Sequence, residues 1–190
     1  MNKIYKVIRV ISVPPLMASL LFIILGIWGG MDLIDSVLGV FFLGVLPILS
    51  YPLQRFIPKF KDEGREGQRN LAIIFSVVGY IVGCTLAIIF QAPSTVTIIY
   101  FDYLISGILI ALFNKLFHLR ASGHACGIVG PVAMLIYNGL YIPAAVGVVL
   151  TVLVFISSVK MKRHTFLQLL GGSAITVSAL LLLILIYGLI

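Results

Sequence analysis

Residues 71–90 read LAIIFSVVGYIVGCTLAIIF, twenty residues without a charge, with Arg65 and Arg69 just before them and the turn QAPS at 91–94 just after. An α-helix rises about 1.5 Å per residue, so this run covers roughly the 30 Å hydrocarbon thickness of a bilayer. A chain inside lipid must satisfy its backbone N–H and C=O groups internally, which leaves helices or closed barrels. No part of the sequence alternates polar and apolar residues as a barrel strand does. The stretch is therefore a membrane helix.

The same pattern recurs on both sides of it. Apolar segments are expected at about 10–28, 33–53, 95–117, 122–137, 140–159 and 165–190. Tight turns at Gly29-Gly30 and Asn138-Gly139, and a polar loop over 54–70, separate some of them. Composition agrees: of 190 residues, 61% are hydrophobic and 10% charged, with mean hydropathy +1.19. A soluble domain carries about 25% charged residues. The expectation is an all-α, polytopic membrane helix bundle of about seven (six to seven) crossings, one integral membrane domain over residues 1–190. No polar linker divides it. The basic N-terminus and apolar run resemble a signal peptide, but no small-residue cleavage site followed by a polar domain comes after, so the first segment is expected to stay as a helix.

Seven crossings put every Lys and Arg on one face. They lie at Lys3, Lys6 and Arg9, from Arg55 to Arg69, at Lys115 and Arg120, and from Lys160 to Arg163, with His118, His124 and His164 in or beside these patches. The opposite face holds Asp32 and Asp35 and no cation. The positive-inside rule places the basic face in the cytoplasm, and a prokaryotic cell membrane is the expected location. A net charge of +7 in a soluble protein would point to nucleic acid. Here the cations flank a membrane, so the expected partners are the lipid bilayer and its anionic headgroups, with no nucleic acid. Cys84 and Cys126 fall within spans and read as small apolar residues, without a disulfide framework.

Three constellations carry chemistry. In the first, Lys61 precedes Arg65 and Arg69; a helix starting near Gly64 sets the two guanidinium forks one turn apart, an arrangement that suits phosphate. In the second, Arg120-Ala-Ser122-Gly123-His124 opens a segment: a Ser-Gly pair at a helix N-terminus offers amides and a hydroxyl to an anion, and His124 can pass a proton. In the third, Lys160 leads to Arg163-His164 and then Gln168, which at i+4 can orient the imidazole. Read singly, each has a plain structural alternative: a solvated topology-setting loop, a helix cap, a basic anchor. Together, each opens an apolar segment and two crossings separate it from the next, so the fold can gather all three. Two histidines and several cations are the parts needed for phosphoryl transfer.

The order basic-Arg loop, Ser-Gly-His, Arg-His-Thr-x-x-Gln resembles the type 2 phosphatidic acid phosphatase superfamily over about residues 61–172, with a phosphatase-like core expected over about 61–190. The resemblance implies an α-helical core and a metal-independent lipid phosphate phosphatase without cofactors. Its substrate would be a phosphomonoester or diphosphate of a membrane lipid: phosphatidate, phosphatidylglycerophosphate, or a polyprenyl phosphate or diphosphate. It implies His164 as the nucleophile that becomes phosphohistidine, His124 as general acid, and Ser122, Gly123, Arg65, Arg69 and Lys61 as phosphate-binding groups.

The sequence departs from the family pattern at several points. Lys61 and Arg69 are one residue too far apart, Asn70 and Ala121 stand where prolines are usual, and Arg120 is a candidate cation beside the second motif. Ser158 replaces an arginine of the third motif, with Lys160 the candidate substitute. Gln168 replaces an acid. The expectation is weakened catalysis, improved by Ser158→Arg, or alternatively a relative that binds or moves anionic lipids.

Asp102 lies within the fourth segment, where a carboxylate costs about 2.5–3.5 kcal/mol at mid-bilayer. It is expected to face the bundle and meet a tyrosine or serine, or to be protonated. Gly171-Gly172 and Gly127 are expected to allow close helix packing.

Overall fold

The computed structural model describes residues 3–116 and 120–189. Among these the regular structure is helical throughout. The first expected segment is two helices. α1 (Lys3–Ile11) and α2 (Pro14–Trp28) meet at a 54° bend. The cause is local: Pro14 and Pro15 occupy the first turn of α2, where a missing N–H costs nothing. A proline also drives the residue before it out of the helical region, and Val13 is extended at φ −63°, ψ 144°. α1 carries Lys3, Lys6 and Arg9 at three-residue spacing, while Ile4, Val7, Val10 and Ile11 are exposed. That amphipathic pattern suits a helix in a membrane interface.

Asp32 caps the next helix, its Oδ1 accepting from Ile34 N–H at 2.8 Å. α3 (Leu33–Gly39), a π-helical stretch Val40–Val45, α4 (Leu46–Leu53) and a 3-10 turn Gln54–Phe56 follow as one apolar run of 24 residues. α2 packs against the end of α3 and the π stretch: a Cβ on Gly39 would strike the Phe22 ring, and one on Gly44 the Ser19 hydroxyl. After a loop come α5 (Gly64–Ile89), α6 (Ser94–Leu116), α7 (Gly123–Tyr137), α8 (Tyr141–Lys160) and α9 (Phe166–Gly188).

Five of these helical runs are long and apolar enough to cross a membrane, and six if α1 and α2 count as one bent span. α7 has 15 residues, about 22 Å of rise, short of the roughly 30 Å hydrocarbon layer. The structure is thus a helical bundle with five to six apolar helices of spanning length, where the sequence led to about seven crossings. Outward-facing Ile73, Ile81, Val149 and Leu181 are exposed, as befits residues whose solvent is lipid. The buried core joins Leu21, Phe22, Ile98, Tyr100, Met134 and Leu180.

α7 lies at the centre, against α2, α8 and α9, while α6 packs on both α5 and α9. Polar contacts fix which ends coincide. At one end Thr95 Oγ1 donates to Asn138 Oδ1 at 3.2 Å, joining the first turn of α6 to the turn after α7. At the other end the Ser122 amide donates to the Gln168 carbonyl at 2.9 Å, and Asn114 Nδ2 to the Ala121 carbonyl at 3.2 Å. The basic patches all fall at this second end, since α5 and α6 form an antiparallel pair and α1 lies on α8.

Asp102 is buried in α6. Thr176 Oγ1 of α9 donates to its Oδ2 at 3.1 Å and Ser106 Oγ to its Oδ1 at 3.4 Å. The expected serine contact is present, and a threonine from a neighbouring helix supplies the second partner. This group lies within the bundle.

Candidate active site

Two local motifs hold His164. α8 ends in a Schellman motif: Arg163 N–H donates to Ser158 C=O at 3.0 Å and Lys162 N–H to Val159 C=O at 2.9 Å. Lys162 takes the left-handed position at φ 53°, where glycine is usual. α9 then opens with a capping box. Thr165 Oγ1 accepts from Gln168 N–H at 3.3 Å, and Gln168 Oε1 accepts from Thr165 N–H at 3.2 Å. His164 is the single residue between the two motifs, so backbone bonds fix it from both sides.

The capping box also decides the chemistry of the ring. Gln168 must present oxygen, not nitrogen, to the Thr165 amide. The same Oε1 lies 3.3 Å from His164 Nδ1, so Nδ1 carries the proton and donates it. Nε2 is then the atom with a free lone pair, the form a nucleophile requires. Burial pushes the imidazole below the ordinary histidine value, the Gln168 hydrogen bond opposes that shift, and the Arg9 charge adds to it.

His124 sits on the first turn of α7. Its Nε2 is 3.0 Å from Ser12 Oγ at the end of α1. The Ser12 hydroxyl donates to the Ile8 carbonyl at 2.7 Å, so it accepts from His124 Nε2–H. Nδ1 is the ring atom left to exchange a proton. His124 lies within electrostatic reach of both Arg9 and His164. The two imidazoles, 40 residues apart in sequence, lie at the same end of the bundle, where the Ser122 amide meets the Gln168 carbonyl.

Ser122 does not line this site as expected. It is fully buried; its Oγ accepts from Ala125 N–H at 3.2 Å and its carbonyl from Cys126 N–H at 3.1 Å. It is the helix cap, and Gly172 packs so tightly on it that a Cβ there would run into the Ser122 carbonyl oxygen. Among the described residues, that leaves the amides of Gly123 and His124 as the free N–H groups of this turn. Gly123 is exposed with open space around it.

The cations divide into two groups. Lys61, Arg65 and Arg69 are exposed at the start of α5, which packs on α4 and α6, with α6 between it and α9. They share the basic end without joining the histidines. Arg120 is exposed ahead of α7, Lys160 is exposed at the end of α8, and His118 lies outside the described residues. A cation within electrostatic reach of both histidines is Arg9, which the sequence showed only as one of the membrane-flanking cations. Its Nη1 donates to Ser158 Oγ, at the position where the sequence lacks the expected arginine. Burial, and then the neighbouring Arg163 charge, pushes the Arg9 guanidinium down, though an arginine keeps its proton through such shifts. Ser12 was also missed. No sequence period links residues 9 and 12 to 158 and 124; the bend at the prolines is the one signal that separates α1 from the span.

Compared with protein families, with curated proteins and with solved structures, the chain finds no match in any of the three.

Proposed function

We propose that this chain is a metal-independent lipid phosphate phosphatase working through a phosphohistidine. The observation that carries the reading is the His164 tautomer: Nδ1–H donated to a fixed Gln168 oxygen leaves Nε2 bare, with the ring within electrostatic reach of a second imidazole and a guanidinium. Nε2 attacks phosphorus and the ester P–O bond breaks. The leaving oxygen takes a proton from the His124 imidazolium, through Nδ1. Water then attacks the phosphorus and gives a proton to His124 Nδ1, the P–N bond breaks with its electron pair returning to His164 Nε2, and inorganic phosphate leaves.

The resemblance to the type 2 phosphatidic acid phosphatase superfamily supports the same reading. Under it α2 and α7 complete seven crossings and the basic end faces the cytoplasm. A membrane-held phosphatidate, phosphatidylglycerophosphate or polyprenyl phosphate would enter sideways from lipid. Lys61, Arg65 and Arg69, exposed at that end, draw anionic headgroups toward the site rather than clasp the reacting phosphate.

Phosphate release from a short-chain phosphatidate by the purified protein, with His164→Ala as the paired variant, tests the proposal. Release that depends on His164, with acid-labile phosphate trapped on the chain, supports it. Equal release from the variant removes His164 as nucleophile. A second reading is favoured by Gln168, a neutral group that stabilises an imidazolium less than a carboxylate does: the chain then binds or moves anionic lipids without turnover. Lipid-phosphate binding without any release would decide for that reading.

A further inference from the structure

Arg9 is half-buried, and among the described residues the Ser158 hydroxyl is the one acceptor it has. A guanidinium offers five N–H donors, so most of its fork is unspent. Its other neighbours are Arg163 and the two histidines. No Asp or Glu occurs in residues 1–31 or anywhere after Asp102, so α1, α2, α7, α8 and α9 bring no carboxylate. A partly desolvated guanidinium beside a second cation, with no counter-charge, is unfavourable until an anion arrives. Packing nevertheless holds the group in place: α1 lies along α8, and Ser12 ties the end of α1 to His124.

We infer that Arg9, delivered by the interfacial helix α1, is the principal phosphate-binding cation of the site, taking a phosphate monoester dianion between its fork, the Gly123–His124 amides and His164. The inference rests on the phosphatase reading and names a binding residue which that reading lacks. It also revises the expected effect of Ser158→Arg. The cation is not missing but supplied from 149 residues away, so an arginine added at 158 meets Arg9 in the same space. Ser158→Arg alone should give no gain. In an Arg9→Gln background it should restore what was lost, because the new side chain starts from the point where the Arg9 fork now rests.

The test uses the full chain in detergent micelles, with elution profile and thermal midpoint confirming that each variant folds. Dioctanoyl phosphatidic acid is the lipid probe and inorganic phosphate the free one. Arg9→Gln is expected to lower kcat/KM by about 100-fold, the scale of losing one preorganised donor to a developing anion. Inhibition by inorganic phosphate should weaken alongside if the shared phosphate group is what Arg9 holds; weakening for the lipid alone would assign it to the rest of the headgroup and overturn the inference. Arg9→Lys keeps charge but not the fork and should recover part of the activity. Arg9→Gln with Ser158→Arg should regain about tenfold or more over Arg9→Gln, as a returned charge-assisted contact would. A folded Arg9→Gln within about threefold of the unaltered protein overturns the inference, as does a folded double variant with no recovery. If the unaltered protein releases no phosphate from any lipid, the phosphatase reading fails separately. Equilibrium dialysis with labelled inorganic phosphate then decides for Arg9: binding lost in Arg9→Gln supports it, and equal binding overturns it.

Discussion

Gln168 holds His164 and the start of α9 with one oxygen atom: Oε1 accepts from the Thr165 amide at 3.2 Å and stands 3.3 Å from His164 Nδ1. Helix capping and imidazole orientation are therefore coupled. Gln168→Leu removes both and is expected to lower stability by about 1 kcal/mol, the scale of a lost cap. It should also cut kcat by at least about tenfold, because the ring loses its tautomer partner. Gln168→Glu keeps the capping geometry and adds a carboxylate beside the imidazole. It should raise kcat above that of the unaltered protein at pH 8. Thermal melts and phosphate release on the same preparations check the pair; a Gln168→Leu protein with lowered stability and full kcat would separate the cap from the chemistry.

The direction of the His164 shift fixes a pH profile. The nucleophile must be neutral. Its value in the fold lies below the ordinary one because burial, and then the Arg9 charge acting against the Gln168 bond, disfavour the imidazolium. The His164 limb is then complete above the ordinary histidine value of about 6.5 and is lost as pH falls through the lower, folded value, while loss of the His124 proton sets a separate limb on the alkaline side. The acid limb of kcat/KM should lie below about 6.5. Arg9→Gln removes a lowering influence, so whatever activity remains should show that limb moved upward. Gln168→Glu should move it upward too. A limb that stays put in both variants would mean a group other than His164 controls it.

Much of the architecture was legible in the chain because membrane helices announce themselves by uninterrupted apolar length, as residues 71–90 do. That the starts of α7 and α9 meet at one end, where the Ser122 amide donates to the Gln168 carbonyl, follows from the short connections that make neighbouring helices antiparallel. Three things were not legible. The split of the first segment turns on backbone sterics at Val13-Pro14, which a hydropathy window averages away. Gln54, expected in an open polar loop, is buried and donates to the Phe60 and Gly64 carbonyls at 2.7 and 2.9 Å; a polar side chain that staples a loop looks the same in sequence as one in water. Arg9 reads as a membrane-flanking cation, and its packing on Ser158 depends on where α1 folds back.

Lys162 occupies the left-handed position of the Schellman motif at φ 53°. A side chain there costs roughly 1 kcal/mol that glycine avoids. Lys162→Gly should therefore raise the thermal midpoint, and since the Lys162 side chain is exposed, phosphate release should hold. A fall in activity together with raised stability would instead show that the loop needs to yield during turnover.

Membrane orientation is testable from each side of intact cells by cysteine labelling. Glu63 lies exposed in the basic-end loop and Ser94 exposed at the opposite turn. With the basic end in the cytoplasm, a membrane-impermeant reagent should label Ser94→Cys from outside and Glu63→Cys after lysis. The buried Gln54 is the wrong probe: Gln54→Cys should label poorly from either side and destabilise the loop, since two carbonyls lose their donor. The native thiols confuse little, Cys84 being buried and Cys126 partly so within helices. Labelling of Glu63→Cys from outside would invert the bundle. The histidines would then face the outer leaflet, which favours recycled carrier lipids over newly made ones as the source of the phosphate.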